Sequence, residues 1–328
     1  MKRSITLACI GLLVSAVVSV PVMAQALKKV KTTVPRNSVF ILSAYGGKDA
    51  GIFAKRGIDL IIDPRPFKGH MAALAAGEVM VATYAGTAAI GRINQGLDWV
   101  IIGGGLTVMQ EVFVRKDSPF KTIDDLKGKK FASWSTGAGA FKAVRAAIMD
   151  GFGFDVLKDT EFVQAAPPAL VKLLERGDVD SMFNISSFTI AAASQPDKYR
   201  SIFAPNDYWR EKTGTPIIWS APIVAWRSWV DEDRDRAKRF VKATHEAIAW
   251  LKKGVNVVTA IKKFGVLSGV KNDAEAAVYK KWLSEGKVFA GKWDRETIDA
   301  QWKFLEMASK HGVLGKVPDK NKVALILE

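Results

Sequence analysis

The segment Trp134 to Lys142, "WSTGAGAFK", places Ser135, Thr136, Gly137 and Gly139 between a strand-like apolar run and a helix-like one. Small residues at that junction let backbone N–H groups approach a ligand. Unpaired N–H groups at a helix start, with the helix dipole behind them, attract a carboxylate, sulfonate or phosphate. The segment is a poor nucleotide loop: Lys142 stands where a dinucleotide fingerprint has its third glycine, and no GK[ST] follows. "FKGHMAALAAG" sets Lys68 and His70 at a second helix start, where either side chain can donate to an anion or simply cap a turn. "ATYAGTAA" offers Tyr84 and Thr87, "FNISSFT" offers Asn184, Ser186 and Ser187, and Tyr45 closes the first apolar run. Hydroxyls and carboxamides orient a ligand, and Trp134, Phe188 and Trp219 can supply flat apolar walls. Each candidate also has a structural reading, because Ser and Thr cap helices and most large aromatics belong to cores.

Other chemistries find little support. His70, His245 and His311 are far apart and have no metal-ligand spacing, and no Ser-His-Asp order or paired-carboxylate motif can be placed. The only cysteine is Cys9, inside a segment expected to be removed. The mature chain then holds no disulfide and no thiolate nucleophile. A binding function with no catalytic residue, no metal and no cofactor is the expectation.

The elements that must carry these residues repeat. Leu74 to Gly86, "LAAGEVMVATYAG", and Leu173 to Ser186, "LLERGDVDSMFNIS", match at Gly77 with Gly177 and at Val79 with Val179. Each copy is a helix, a closing glycine and a strand ending in small polar residues, where a parallel sheet forms its crevice. Around the first copy, "SVFILSAY", "IDLIID", "EVMVATY" and "DWVIIGGG" read as strands separated by helix-like segments. Around the second, "GKKFASWS", "TEFVQA" and "DVDSMFNIS" read as strands, and "GAGAFKAVRAAIMDGFG" and "PPALVKLLERG" as helices. Such alternation predicts an α/β fold of two lobes, each a mainly parallel sheet flanked by helices. The extended runs "EVFVRKDSPF" and "TPIIWSAPIVAWRS" bracket the second set and predict two crossover strands that can act as a hinge. After Trp226 the chain reads as helical. Ala237, Phe240, Val241, Thr244, Ala247, Ile248 and Leu251 form one stripe, with Gly254 as the expected stop. The expected organisation is a signal peptide over 1–26, lobe 1 from 27–113 and 221–328, and lobe 2 from 114–220.

Lys2 and Arg3, the apolar run "ITLACIGLLVSAVVSV", Pro21 and the small-residue site "VMAQA" have the arrangement of a secretory signal peptide cleaved after Ala24 or Ala26. The run is short for a membrane span and interrupted by Ser15 and Ser19. The net charge is +15, or +13 without Lys2 and Arg3. The basic residues lie along helical stretches such as "DEDRDRAKRFVK" and "IKKFG", with no aromatic-basic strip. They read as solvated faces, and nucleic acid is not an expected partner.

Together, "GIFAKRGIDLII", "AALAAGEV", "FVRKDSPFKTIDDLKGKKFA" and "LLERGDVD" make the chain similar to the substrate-binding proteins of ABC importers in the sulfonate, nitrate and thiamine-precursor binding group. "DDLKGKK", just after an extended crossover, is the most specific piece. The resemblance implies a type 2 periplasmic binding protein fold. It also implies capture of a small solute between closing lobes and delivery to an ABC importer permease in the inner membrane. Two features depart from the group: Met80 stands where an acid is usual, although Asp180 is kept, and the loop "SAYGGKDAG" is shortened. The group carries over and no single substrate does; sulfonate, carboxylate and pyrimidine solutes all fit. The expected protein is a periplasmic monomer. The alternative is an enzyme, since the lobed fold also resembles the thiamine-pyrimidine synthases of fungi. Those are intracellular and use a cysteine-rich motif that this chain lacks.

Overall fold

The computed structural model describes residues 26–290 and 292–327. The proposed signal peptide, apart from its last residue, lies outside the described residues. In chain order, the first elements are β1 (Lys28–Pro35), α1 (Phe40–Asp49), α2 (Ile52–Lys55), β2 (Ile58–Arg65), α3 (Phe67–Ala75), β3 (Val81–Thr83), α4 (Gly86–Asn94) and β4 (Trp99–Leu106). Next come β5 (Val112–Arg115), β6 (Lys130–Ser133), α5 (Gly139–Phe152), β7 (Glu161–Gln164), α6 (Pro167–Arg176), β8 (Ser181–Phe183), α7 (Ser186–Ala193), β9 (Tyr199–Phe203) and α8 (Pro205–Thr213). Last are β10 (Ala221–Trp226), α9 (Arg227–Glu232), α10 (Arg234–Leu251), α11 (Gly254–Ser268), α12 (Asp273–Ser284), α13 (Arg295–Lys310) and α14 (Lys320–Val323).

β1 pairs in parallel with β2, from Lys28 opposite Ile58 to Pro35 opposite Arg65. Its other edge lies beside β3, where Thr32 Oγ1 donates to Val81 O at 2.9 Å. β10 then lies antiparallel between β3 and β4. The first layer thus sets a two-stranded sheet, β1-β2, beside a three-stranded one, β3-β10-β4, in the spatial order β2-β1-β3-β10-β4. The second layer runs β7-β6-β8-β5-β9, with β6 parallel to β7 and β8, and β5 antiparallel to β8 and β9. Both layers place a single antiparallel strand fourth in order, β10 in the first and β5 in the second. The chain passes from one layer to the other between Leu106 and Val112, and returns between Thr213 and Ala221. The repeated phrase occupies equivalent places: Gly77 (φ 72°) and Gly177 (φ 77°) take the left-handed conformation that ends α3 and α6, just before β3 and β8.

Two local expectations are corrected. "SVFILSAY" is not a strand, since α1 begins at Phe40, and the first strand is β1, upstream of it. Phe40, Ile41, Leu42, Ser43 and Ala44 are all buried, and a helix buried on every side shows no polar face to mark its period. Gly254 does not stop α10, which ends at Leu251; it opens α11 instead. Otherwise α10 buries the predicted stripe, and Asp233 caps it by accepting from Arg236 N at 2.9 Å. α10 and α11 pack on α1, whereas α12 touches α7 and α13 touches α5. One core cluster joins the layers, taking Tyr84 and Trp99 from the first, Phe131, Phe141 and Phe183 from the second, and Trp219 and Trp302 from the segments between and after them.

Candidate ligand-binding site

A cavity of about 400 Å³ opens where the parallel strands end. Pro35 ends β1 and Arg36, Asn37 and Ser38 follow it, Pro66 and Phe67 follow β2, and Ala85 follows β3. From the other layer, Trp134 and Ala138–Ala140 follow β6, Pro167 follows β7, and Ile185 and Ser186 follow β8. Met109 and Gln110 from one crossing segment, and Ser220 from the other, complete the wall. A ligand in this crevice meets the starts of α3, α5 and α7, whose first N–H groups have no partner within their own helices, and the start of α6, which opens on Pro167 and Pro168 and offers no N–H there. Proline suits two of these positions, Pro66 before α3 and Pro167 at the start of α6, because a missing N–H costs nothing there.

The wall carries one charge. Arg36 lines it, with Nε donating to Pro64 O at 3.2 Å, and no Asp or Glu is among the lining residues. Gln110 is buried, and its Oε1 has no protein partner. Apolar surface comes from Phe67, Leu106, Met109 and Trp134, whose ring stacks on Phe183 at 5.5 Å. The arrangement suits an anion with an apolar body.

Of the residues predicted from sequence, Trp134 and Ser186 are on the cavity wall. Ser135, Thr136 and Gly137 form the turn immediately before the wall residue Ala138, with Ser135 Oγ accepting from Gly137 N at 3.3 Å. Asn184 lies behind the wall. Its Nδ2 donates to Pro167 O at 2.9 Å and its Oδ1 accepts from Ile185 N at 2.8 Å, so it holds the starts of α6 and α7 together. Tyr84 is buried edge-on to Trp99 at 4.9 Å, and Thr87 is buried in the first turn of α4. Trp219 is buried with Nε1 donating to Gln301 O at 3.2 Å, while its own carbonyl accepts from Gly86 N at 3.1 Å. Ser187 packs against Gly269 in the turn after α11. Lys68 is exposed in the first turn of α3, and Tyr45 stands on α1 with its ring 5.4 Å from that of Phe264. His70 is buried and bonded to the Thr83 backbone, and burial holds its pKa down at about 4. The sequence reading missed Arg36, Asn37, Ser38, Phe67, Met109 and Gln110. "TVPRNS", where a β-branched run stops at proline, was the available signal for the first three.

The two halves of the site touch at Gly139. A Cβ there would lie 2.6 Å from Trp219 O and 3.4 Å from Ala85 Cβ, so glycine lets the starts of α4 and α5 meet. Gly139→Ala is expected to cost about 1–3 kcal/mol in urea unfolding at unchanged m-value. Gly137→Ala should be nearly neutral, because its nearest neighbour is Ser135 Oγ at 3.7 Å. Equal costs for the two variants would remove the close-approach argument.

A family model described as NMT1/THI5 like matches residues 40–254, well over half of the chain. The chain belongs to the NMT1/THI5-like family. No curated protein matches it. Among solved structures, this NMT1/THI5-like chain is similar to the alkanesulfonate-binding protein SsuA from Xanthomonas axonopodis pv. citri bound to MOPS. The TM-score is 0.70 at 16% identity over 92% of this chain and 99% of that one. The periplasmic nitrate-binding protein NrtA from Synechocystis PCC 6803 is similar with a TM-score of 0.65 at 16% identity over 91% and 86% of the chains. A Candida albicans gene product described as having the generic periplasmic binding protein structural fold gives 0.62 at 16% identity over 91% and 96%. At these identities the likeness establishes the fold: two α/β layers of the periplasmic binding protein type, in agreement with the fold class expected from sequence.

Proposed function

We propose that this protein is an extracytoplasmic solute-binding protein that captures a small organic anion between two lobes and passes it to an ABC importer. The lobes are residues 27–113 with 221–328, and 114–220. A cleaved segment over 1–26 exports the chain, and it works as a monomer without a cofactor. The observation that carries the reading is the cavity wall, which combines helix starts from both layers, the Arg36 guanidinium, no carboxylate, and the apolar surfaces of Phe67, Met109 and Trp134. That set suits a sulfonate or carboxylate head with a carbon body. Trp134 and Ser186 contact the solute directly, and the Ser135–Gly137 turn reaches it as the lobes close. A cavity of 400 Å³ holds roughly a dozen waters, so a bare inorganic oxyanion would leave most of it wet. The sulfonate-binding neighbour with MOPS bound supports the organic reading.

A thermal-shift screen against alkanesulfonates, aromatic carboxylates, pyrimidines and nitrate tests it. The cognate solute at a hundredfold excess over its Kd adds about 2.7 kcal/mol of stability. An organic anion is expected to shift Tm where nitrate does not. Arg36→Ala should then weaken the hit by about tenfold or more, read by calorimetric titration. No response to any of these classes would refute the reading. Conversion of the hit into a product would favour the enzyme branch.

A further inference from the structure

We propose that α11 forms a docking face for an anionic phospholipid surface, separate from the solute cleft. From Leu251 to Lys271 the chain has no acidic residue and five lysines: Lys252, Lys253, Lys262, Lys263 and Lys271. One side of α11 buries Val257 and Ala260 as the helix packs against α1. The opposite side leaves Val255 at 79%, Val258 at 50% and Val266 at 86% exposure, all among the most exposed large apolar side chains of the described residues. Val255, Val258, Lys262 and Val266 follow at intervals of three and four residues, so they share one helix face. Beside this face a shallow groove runs between α11 and α12, with Lys262, Lys263, Lys271 and Lys280 on its walls and Asp273 as its one carboxylate. Among the five lysines, Lys263 is ion-paired with Asp49 at 2.5 Å.

An apolar ridge flanked by lysines, on a helix anchored by its other side, is the pattern of a segment that lies in a lipid interface. The valines enter the headgroup boundary while the ammonium groups stay at phosphate level. Charge complementarity selects the occupant. A second copy would bring lysines against lysines. An acidic polypeptide is recognised best through the bidentate fork of arginine, whereas every cation of this stretch is a lysine, a point charge that suits phosphates arrayed in a surface.

The test is flotation of the mature chain, residues 27–328, with vesicles of phosphatidylcholine alone or mixed with phosphatidylglycerol. Binding to the mixed vesicles is expected to exceed binding to the neutral ones and to fall as salt rises. Lys262→Ala and Lys280→Ala should each weaken it about fivefold, given ~1 kcal/mol per lysine at an anionic surface. Val258→Ser with Val266→Ser should weaken it further at no cost in Tm, since both side chains are exposed. Lys172→Ala, an exposed lysine on α6, should have no effect. An equal loss with Lys172→Ala would reduce the effect to general charge attraction and overturn the proposal. So would retention on polyglutamate without vesicle binding, or a concentration-dependent dimer abolished by the valine variant. Solute affinity is untouched in every α11 variant if the cleft reading holds, so the two readings fail separately.

Discussion

Asp155→Ala is expected to destabilise the protein by about 3–5 kcal/mol, more than any single substitution in the cavity wall. Asp155 is 4% exposed and follows α5. Its carboxylate takes both arms of Arg145, with Nε to Oδ1 and Nη2 to Oδ2 at 2.6 Å each, and Oδ1 also accepts from Leu157 N at 3.0 Å. Burial alone would raise the Asp155 pKa, but the Arg145 pairing and the Leu157 N–H overcome it and hold the carboxyl below its usual range. The alanine variant leaves Arg145, itself mostly buried, without its counter-charge, and that desolvated cation is the source of the cost. The pair also fixes the far end of the helix whose first turn enters the cavity. Urea unfolding should show a lower midpoint at unchanged m-value. The double variant Arg145→Met with Asp155→Leu should recover most of the loss, because no unpaired charge stays behind. A double variant as unstable as Asp155→Ala would show that the carboxylate does something other than neutralise Arg145.

The second large effect follows pH. His70 is 2% exposed, and its pKa is lowered from 6.5 to about 4, first by burial, with the Arg65 charge adding to the shift and the hydrogen bond to the Thr83 backbone opposing it. The folded state therefore holds a neutral imidazole over a range in which the unfolded chain binds a proton. Its contribution is present in full above pH 6.5 and is lost as pH falls from 6.5 towards about 4. At about 1.4 kcal/mol per unit, the loss reaches about 3.5 kcal/mol. His70→Gln cannot titrate, so its stability should fall less across that window than the wild type's; identical slopes for the two proteins would disprove the assignment. Since His70 braces α3 against β3 behind the cavity, acid should weaken solute binding through loss of the folded form rather than through a changed charge in the wall.

Much of the architecture could be read from local signals, each with a direct physical cause. Gly77 and Gly177 end equivalent helices because a left-handed residue is needed there and glycine adopts it without strain. Alternation of short apolar runs with amphipathic segments implied parallel strands joined by helices; of the two crossing segments, the second fell within an extended, proline-bearing run, whereas the first, 107–111, carries no proline and precedes the run that forms β5. Within the site, "SWSTGAGA" identified the start of α5 to within one turn, because small residues between strand and helix are what a backbone-lined anion site requires.

What periodicity could not supply, packing decided. The first half of α1, Phe40 to Ala44, is buried throughout, so its sequence fits a buried strand as well as a buried helix; contact with α10 and α11 settles the choice. The antiparallel course of β5 and β10 depends on the chain crossing twice between layers, a long-range pairing that no short window encodes. The facing of side chains was equally hidden. Tyr84 and Asn184 close equivalent strands in the two copies, yet Tyr84 turns into the core against Trp99, and Asn184 turns to tie Pro167 O to Ile185 N. The amino-acid sequence by itself determined that these strand ends and helix starts exist and repeat. The tertiary structure alone decided which of their side chains reach the cavity, because a residue at the end of a strand can turn either way, and the direction is set by whichever neighbour fills or pairs the space beside it.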